Sequence, residues 1–219
     1  MRLTTVLLIA MACAGLGLGQ EKQAKPEARG KSEGIKVHGH WVLEVRNPDG
    51  SKASRHEYEN ELQTTGDLGL LKLLTGGAVS LGWFIALETQ FDCTILGQIE
   101  YCPYLVVAQS ASICADLVTQ GAFPAIPNQT CSTSLTVGPD GSGYNLVLQG
   151  TTVPATSNAS ITNADSYLLT CPTGTTPAAC LAGASFNSWQ FTRVGAQAQN
   201  FTPLQAGQTV TVTVTLSFS

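Results

Sequence analysis

Histidine is scarce in this chain: three residues in 219, His38, His40 and His56. A serine hydrolase needs an imidazole base within reach of its nucleophile, and no Gly-x-Ser-x-Gly elbow occurs either, so that chemistry is excluded on two counts. Charge is sparse as well, at 12% of residues, and it is unevenly placed. Nine of the eleven basic residues lie at or before Arg55; after Glu61 only Lys72 and Arg193 are basic, against seven acids. A body so poor in positive charge has little to gain from counterion release, and nucleic acid is not an expected partner. No C-x-x-C occurs, and neither Cys93 nor Cys171 has a second Cys or a His at ligand spacing, so zinc and thiol redox chemistry are not expected and no cofactor is called for. The longest apolar stretch is too short for a bilayer crossing, and no transmembrane helix is expected in the mature chain.

That stretch lies at the start. Met1-Arg2 followed by Leu3–Ala12 has the charged opening and short apolar centre of an export signal, with cleavage after Ala14 or Gly19. The alternative is that Cys13 becomes the lipid-modified first residue of a lipoprotein. Gln20–Lys36 mixes charge with Pro and Gly and has almost nothing apolar until its end, the composition of a flexible tether. The organisation read from the sequence is a leader over 1–19, a tether over 20–36 and one folded domain over 37–219, secreted or on the cell surface.

The end of the chain is the clearest structural signal. From Thr209, Val210, Val212, Val214, Leu216 and Phe218 fall on one side, while Thr211, Thr213, Thr215 and Ser217 fall on the other, the period of a half-buried strand. Burying that row is worth on the order of 10 kcal/mol as an upper bound. The row therefore has to dock into a sheet. It carries no charge beyond Leu204, which predicts pairing on both of its edges, within its own sandwich or partly with a second copy. Val37–Arg46 alternates in the same way, and Asn47-Pro48-Asp49-Gly50 supplies a turn into a return strand. Leu81–Glu88 and Tyr104–Gln109 are compact apolar runs of strand length, Ser112–Thr119 suits strand or helix, and Cys131–Leu148 reads as another hairpin. In Leu62–Gly77 the period changes: Thr64 or Thr65 as cap, Asp67 in the first turn and a stripe of Leu68, Leu70, Leu71, Leu73 and Leu74 predict one short helix that plugs an end of the sheets. The fold class is all-β, an antiparallel β-sandwich with one short helix, stapled by disulfides.

Six cysteines remain beyond Cys13, an even set that an oxidising compartment lets pair. Cys93 with Cys102 and Cys171 with Cys180 each bracket a short loop that a hairpin closes, which leaves Cys114 with Cys131.

Glu59-Asn60-Glu61-Leu62, the Thr-Thr-Gly-x-Leu-x-Leu-Leu-x-Leu-Leu-Thr-Gly helix, Trp83–Leu87 and the closing Phe201–Phe218 come in an order that resembles small β-sandwich proteins of phage tails and prophage regions, and exported proteins of soil bacteria. The resemblance spans Trp41 to Phe218 and implies a fold; it carries over no catalytic residue. The export signal, the tether and the six cysteines depart from a virion protein assembled in a reducing cytosol.

Four groups are candidates for chemistry. His38 and His40 point the same way from one strand, and His56 on the return strand, with Glu44 or Glu57, would complete a metal site. Glu88, Asp92, Glu100 and Asp116 supply carboxylates for glycoside cleavage if two of them meet in a cleft. Trp189 is the best exposed candidate for stacking on a sugar, since Trp41 and Trp83 sit in apolar strand patterns. Asn128, Asn158 and Asn200 match the glycosylation acceptor pattern, which recurs by chance in a Thr-rich chain, and Asp140-Gly-Ser-Gly lacks the further acids of a calcium loop. The expectation is a non-enzymatic exported structural or adhesive protein, with self-association through strand pairing or a surface glycan as partner. A glycan-acting enzyme or binding module and a phage-tail-derived structural protein are the alternatives.

Overall fold

Two kinds of strand occur in this chain, and they build two kinds of sheet. The computed structural model describes residues 36–90, 94–96, 99–101, 104–119, 130–183, 185–194 and 202–219. The expected leader and tether, Cys13, Asp92, Cys93, Cys102, Asn128 and Asn200 lie outside them, and of Glu100 only the backbone is described.

In chain order the elements are β1 (Val37–Arg46), β2 (Lys52–Glu61), α1 (Thr64–Leu74), β3 (Ala78–Thr89), β4 (Thr94–Leu96), β5 (Ile99–Tyr101), β6 (Tyr104–Ala108), α2 (Ala111–Thr119), β7 (Thr130–Ser132), β8 (Thr136–Pro139), β9 (Asn145–Thr151), β10 (Ala159–Pro172), α3 (Pro177–Ala182), β11 (Asn187–Val194), β12 (Thr202–Leu204) and β13 (Thr209–Phe218). One sheet has the order β2-β1-β13-β9-β8; the other runs β11-β10-β3-β6-β7, with β12 on the same side of β10 as β11. All ladders are antiparallel except that between β6 and β7. The antiparallel sandwich is as expected, but α2 and α3 are additional to the one helix read from the sequence.

The first sheet is built from alternating strands. β13 lies between β1 and β9, paired along its length with β1 and from Thr211 to Ser217 with β9. Val210, Val212, Val214 and Leu216 are fully buried and meet Trp41, Leu43 and Val45 on the core side, so the Thr row lies on the outside. The second sheet supplies Trp83, Ile85, Leu87, Val107, Leu168 and Phe191 to the same core, with Trp83 and Phe191 edge to face at 5.0 Å. Its strands lack alternation because both faces are covered: Phe84, Ala86, Val106, Ala108 and Leu169 lie on the far side beneath Ile113 and Leu117 of α2. That packing settles the ambiguous Ser112–Thr119 stretch as helix.

Disulfides tie two of the helices to the second sheet. Cys114 of α2 is bonded to Cys131 of β7, and Cys171 of β10 to Cys180 of α3. Both pairings are those expected; Cys93 and Cys102 lie outside the described residues. The bonds fit an oxidising environment. Among the described residues no helix is long and apolar enough to cross a membrane.

Helix α1 departs from expectation in its orientation. Gly66 and Gly69 are its buried residues; Leu70 and Leu73 are partly buried against the core, while Leu68, Leu71 and Leu74 face outward. A β-carbon on Gly66 would meet Phe191 Cα at 2.9 Å, and one on Gly69 would meet Trp189 Cγ at 2.7 Å, so the helix reaches the sheet through its glycines. Of the stripe of leucines read from the sequence, Leu70 and Leu73 face the core and Leu68, Leu71 and Leu74 do not, because periodicity does not register close backbone approach. The cap differs too: Gln63 is the N-cap, and Thr65 lies inside the helix with its hydroxyl donating to Gln190 O at 2.8 Å.

Candidate functional site

Strand register decides which of the sequence candidates meet. β1 pairs β2 with His40 opposite Glu59, Val42 opposite Glu57 and Leu43 opposite His56. His38, His40, Glu57 and Glu59 therefore share the outer face, whereas His56 shares the inner face with Tyr58, whose ring stacks on it at 6.4 Å between centroids. The expected His38–His40–His56 site is thereby corrected: a one-residue change of parity puts His56 on the other side of the sheet. His40 is engaged by carboxylates instead, its Nδ1 2.6 Å from Glu59 and its Nε2 3.6 Å from Glu57. Among the described residues no three His, Cys, Asp or Glu side chains are grouped to hold a metal ion.

Trp189 is half-buried against Gly69 of α1. Its Nε1 donates to Thr170 Oγ1 at 2.8 Å, and Lys72 Nζ stands 5.7 Å from its ring centroid. It fastens the helix to β10 rather than offering an open platform for a sugar. Asn158 accepts from Ala206 N at 3.0 Å in a turn, and Asp140 organises its own turn through Ser142 and Asn145, bonds that hold its carboxyl down at about 2.

Of the four acids named from the sequence, Glu88 and Asp116 have described side chains. Burial raises the Asp116 carboxyl. Glu88 accepts from Asn163 on the outer face of the second sheet, and the carboxylate that influences its surroundings is Asp165, which the sequence reading passed over. Asp165 is 4% exposed. Burial pushes it up to about 6, opposed by the hydrogen bond from Gln190 Nε2 at 2.8 Å and by Arg193, whose Nε is 3.5 Å away. Tyr104 is pushed up to about 12, and Tyr167 upward as well, by burial first and then by the nearby carboxylates. A carboxyl with a raised proton affinity is a common feature of acid–base sites. Here Asp165 is enclosed and hydrogen-bonded within the sheet, which is the arrangement of a structural network. The only sequence signal for it was the lone charged residue of β10.

The open feature is on the other sheet. Because the side chains of β13 alternate, its Thr row joins the outward residues of β1, β2 and β9 in rows across the strands. Arg55, Glu44, Thr211 and Thr151 form one such row, and Glu57, Val42, Thr213, Gln149 and Thr136 the next. Between them lies a shallow depression of about 270 Å³ lined by Val42, Glu44, Arg46, Arg55, Gln149, Thr211 and Thr213. Its cations are positioned: Arg46 donates to Glu44 at 2.8 Å and to Gly50 O at 3.2 Å, and Arg55 lies 2.8 Å from Glu57. Thr211 and Thr151 share a hydroxyl contact at 3.1 Å. The depression thus presents guanidinium and amide donors, carboxylate and hydroxyl acceptors, and no nucleophile paired with a base. Such a surface can bind a polar ligand. Of its residues only Glu44 was a candidate for chemistry from the sequence, since the rows exist only once four strands are in register.

Comparison with protein-family models, with curated proteins and with solved structures yields no match.

Proposed function

We propose that this chain is an exported, non-enzymatic recognition module that binds a surface glycan through the outer face of its first sheet. The observation that carries this reading is the polar depression between Arg46, Arg55, Gln149 and the Thr row. The two outer faces of the sandwich differ: helix α2 covers part of one, and among the described residues no helix packs on the other. A volume of about 270 Å³ suits one or two sugar rings, and charge-balanced donors and acceptors suit hydroxyl groups better than a phosphate. The export signal and tether read from the sequence agree with a role outside the cell.

Strand addition to a second copy has less support. β13 is already paired on both sides; of the edge strands β2 is charged, β8 ends in Pro139, β7 and β12 have three residues, and β11 is met on its outer edge by Leu62 and Gln63 at Thr192 and Phe191. The rival enzyme needs two carboxyls in a cleft; Asp165 is buried, and the side chains of Asp92 and Glu100 lie outside the described residues. The test is a glycan array probed with the whole chain, followed by calorimetry on any hit. Replacing Arg46→Gln, Arg55→Gln and Gln149→Ala together changes half-exposed side chains, so the fold should persist while affinity falls at least tenfold. Absence of glycan binding by the intact chain, or binding indifferent to the triple change, overturns the reading.

A further inference from the structure

β1 turns Val37, Trp41, Leu43 and Val45 into the core, but the inward row beside it on β2 is Ser54, His56, Tyr58 and Asn60, opposite Val45, Leu43, Trp41 and Gly39. Arg55, Glu57 and Glu59 alternate with that row on the outer face, so β2 is polar on both sides. Burial does little to fix the place of such a strand. Several of the inward polar atoms are enclosed and have no hydrogen-bond partner: Ser54 Oγ, His56 Nε2, Asn60 Oδ1 and Nδ2, and Nε1 of Trp41, which stands opposite Tyr58. A polar group in that position has lost its hydration without a bond in return. All five atoms regain water if β2 swings outward, so the loss weighs against the closed position of this one strand.

The middle of β2 is held on one side only, by its ladder with β1, because it is the outermost strand of its sheet. Tyr58 adds an anchor, partly buried against the core with its hydroxyl 3.3 Å from Thr202 Oγ1. On the outer face His40 Nδ1 lies 2.6 Å from Glu59, an exposed contact that water screens. Both ends of the strand are fixed more firmly. The turn before it is closed by Asn47 N donating to Ser51 O at 2.9 Å; after it Leu62 N donates to Val37 O at 3.3 Å and Gln63 N to Phe191 O at 2.9 Å. Helix α1 then packs through Gly66 and Gly69. β2 is thus a strap fastened at its two ends and carrying unpaired polar groups between them, the make-up of a segment that opens locally.

We propose that β2 opens as a strap, away from the edge of the first sheet and between its fixed ends, while the rest of the sandwich stays folded. Opening carries Arg55 out of the polar depression, so one wall of that site is intermittently absent. This consequence rests on the recognition reading above; the opening itself does not. The experiment is native-state hydrogen exchange on the whole chain without ligand, read residue by residue by nuclear magnetic resonance. Amides of β2 that donate to β1 should exchange at least about tenfold faster than amides of β1 that donate to β13, at a rate that low urea concentrations barely change, the mark of a local opening. Ser54→Ala with His56→Leu removes two of the unpaired groups and should slow exchange in β2 by about threefold or more. Exchange in β2 less than about tenfold faster than in β1 overturns the proposal. So does fast exchange that the double variant leaves unchanged, since the position of β2 at the edge of the sheet would then account for it.

Discussion

Replacing Gly66 by alanine tests the orientation of α1 through the sign of its effect. Helix propensity alone makes Gly→Ala stabilising by about 1 kcal/mol in a helix interior. In this fold the added methyl would stand 2.7 Å from Leu62 Cδ1, 2.9 Å from Phe191 Cα and 3.0 Å from Phe191 O. The leucine methyl can turn aside. The backbone of Phe191 cannot, because that residue is buried edge to face against Trp83 and its carbonyl accepts from Gln63 N at 2.9 Å. Overpacking of this kind costs about 1–3 kcal/mol, and contact with fixed backbone places it at the upper end. The expected net effect is a loss of roughly 1–2 kcal/mol, a fall in thermal midpoint of about 2–8 °C for a domain of this size. Leu71→Ala, on the exposed ridge, should change stability by no more than about 0.5 kcal/mol. If the leucines faced the core instead, Gly66→Ala would stabilise and Leu71→Ala would cost about 2–5 kcal/mol. Thermal and urea unfolding of both variants, followed by circular dichroism, distinguishes the two cases; a raised midpoint for Gly66→Ala refutes the reasoning.

Asp165 should make stability fall as pH rises from about 4 to about 6. Its folded value is raised from 3.8 to about 6 by burial, so across that window the native state holds more protons than the unfolded one. The effect is on the order of 3 kcal/mol, and Asp165→Asn should flatten that part of a urea-midpoint profile; an unchanged slope rejects the assignment. Removing the Cys171–Cys180 bond by paired serine substitution should cost roughly 2.5 kcal/mol, and removing Cys114–Cys131, which closes a longer loop, roughly 3 kcal/mol. Unfolding midpoints ranked the other way would contradict the loop-length argument, and peptide mapping without reduction tests Cys93–Cys102. Truncation after Gly207 should abolish soluble folded protein, because it removes four fully buried side chains from the centre of the first sheet; a truncated chain with the full-length melting temperature would deny β13 that role.

Alternation along Val37–Arg46 and Thr209–Phe218 was enough to identify half-buried strands, because the side-chain period of a strand is a local property. The turn at Asn47–Gly50 was legible for the same reason, with Gly50 at φ 82° and its N–H bonded to Asn47 O at 2.8 Å. A short loop made Cys171–Cys180 the economical pairing, and Cys114–Cys131 followed by elimination. The candidate sites were less legible. Reading His56 together with His38 and His40 required a register, and register depends on how a bulge near Val45 and Arg46 offsets the return strand. The groove was missed because Arg46, Arg55, Gln149 and Thr211 belong to four different strands, and no spacing along the chain expresses their nearness.

Sequence by itself determined the fold class, the buried row of the closing strand, the oxidising chemistry of the cysteines and the scarcity of catalytic groups, all of which follow from composition and from periods shorter than a dozen residues. Tertiary structure alone decided that α1 packs by Gly66 and Gly69 and exposes Leu68, Leu71 and Leu74, that Asp165 lies buried beside Gln190 and Arg193, and that among the described residues helix α2 packs on one outer face and no helix on the other. The physical reason is common to the three. Each depends on which surface approaches which, and close approach is a property of pairs of elements distant in the chain, set by backbone separation and strand register rather than by the hydrophobicity of either partner.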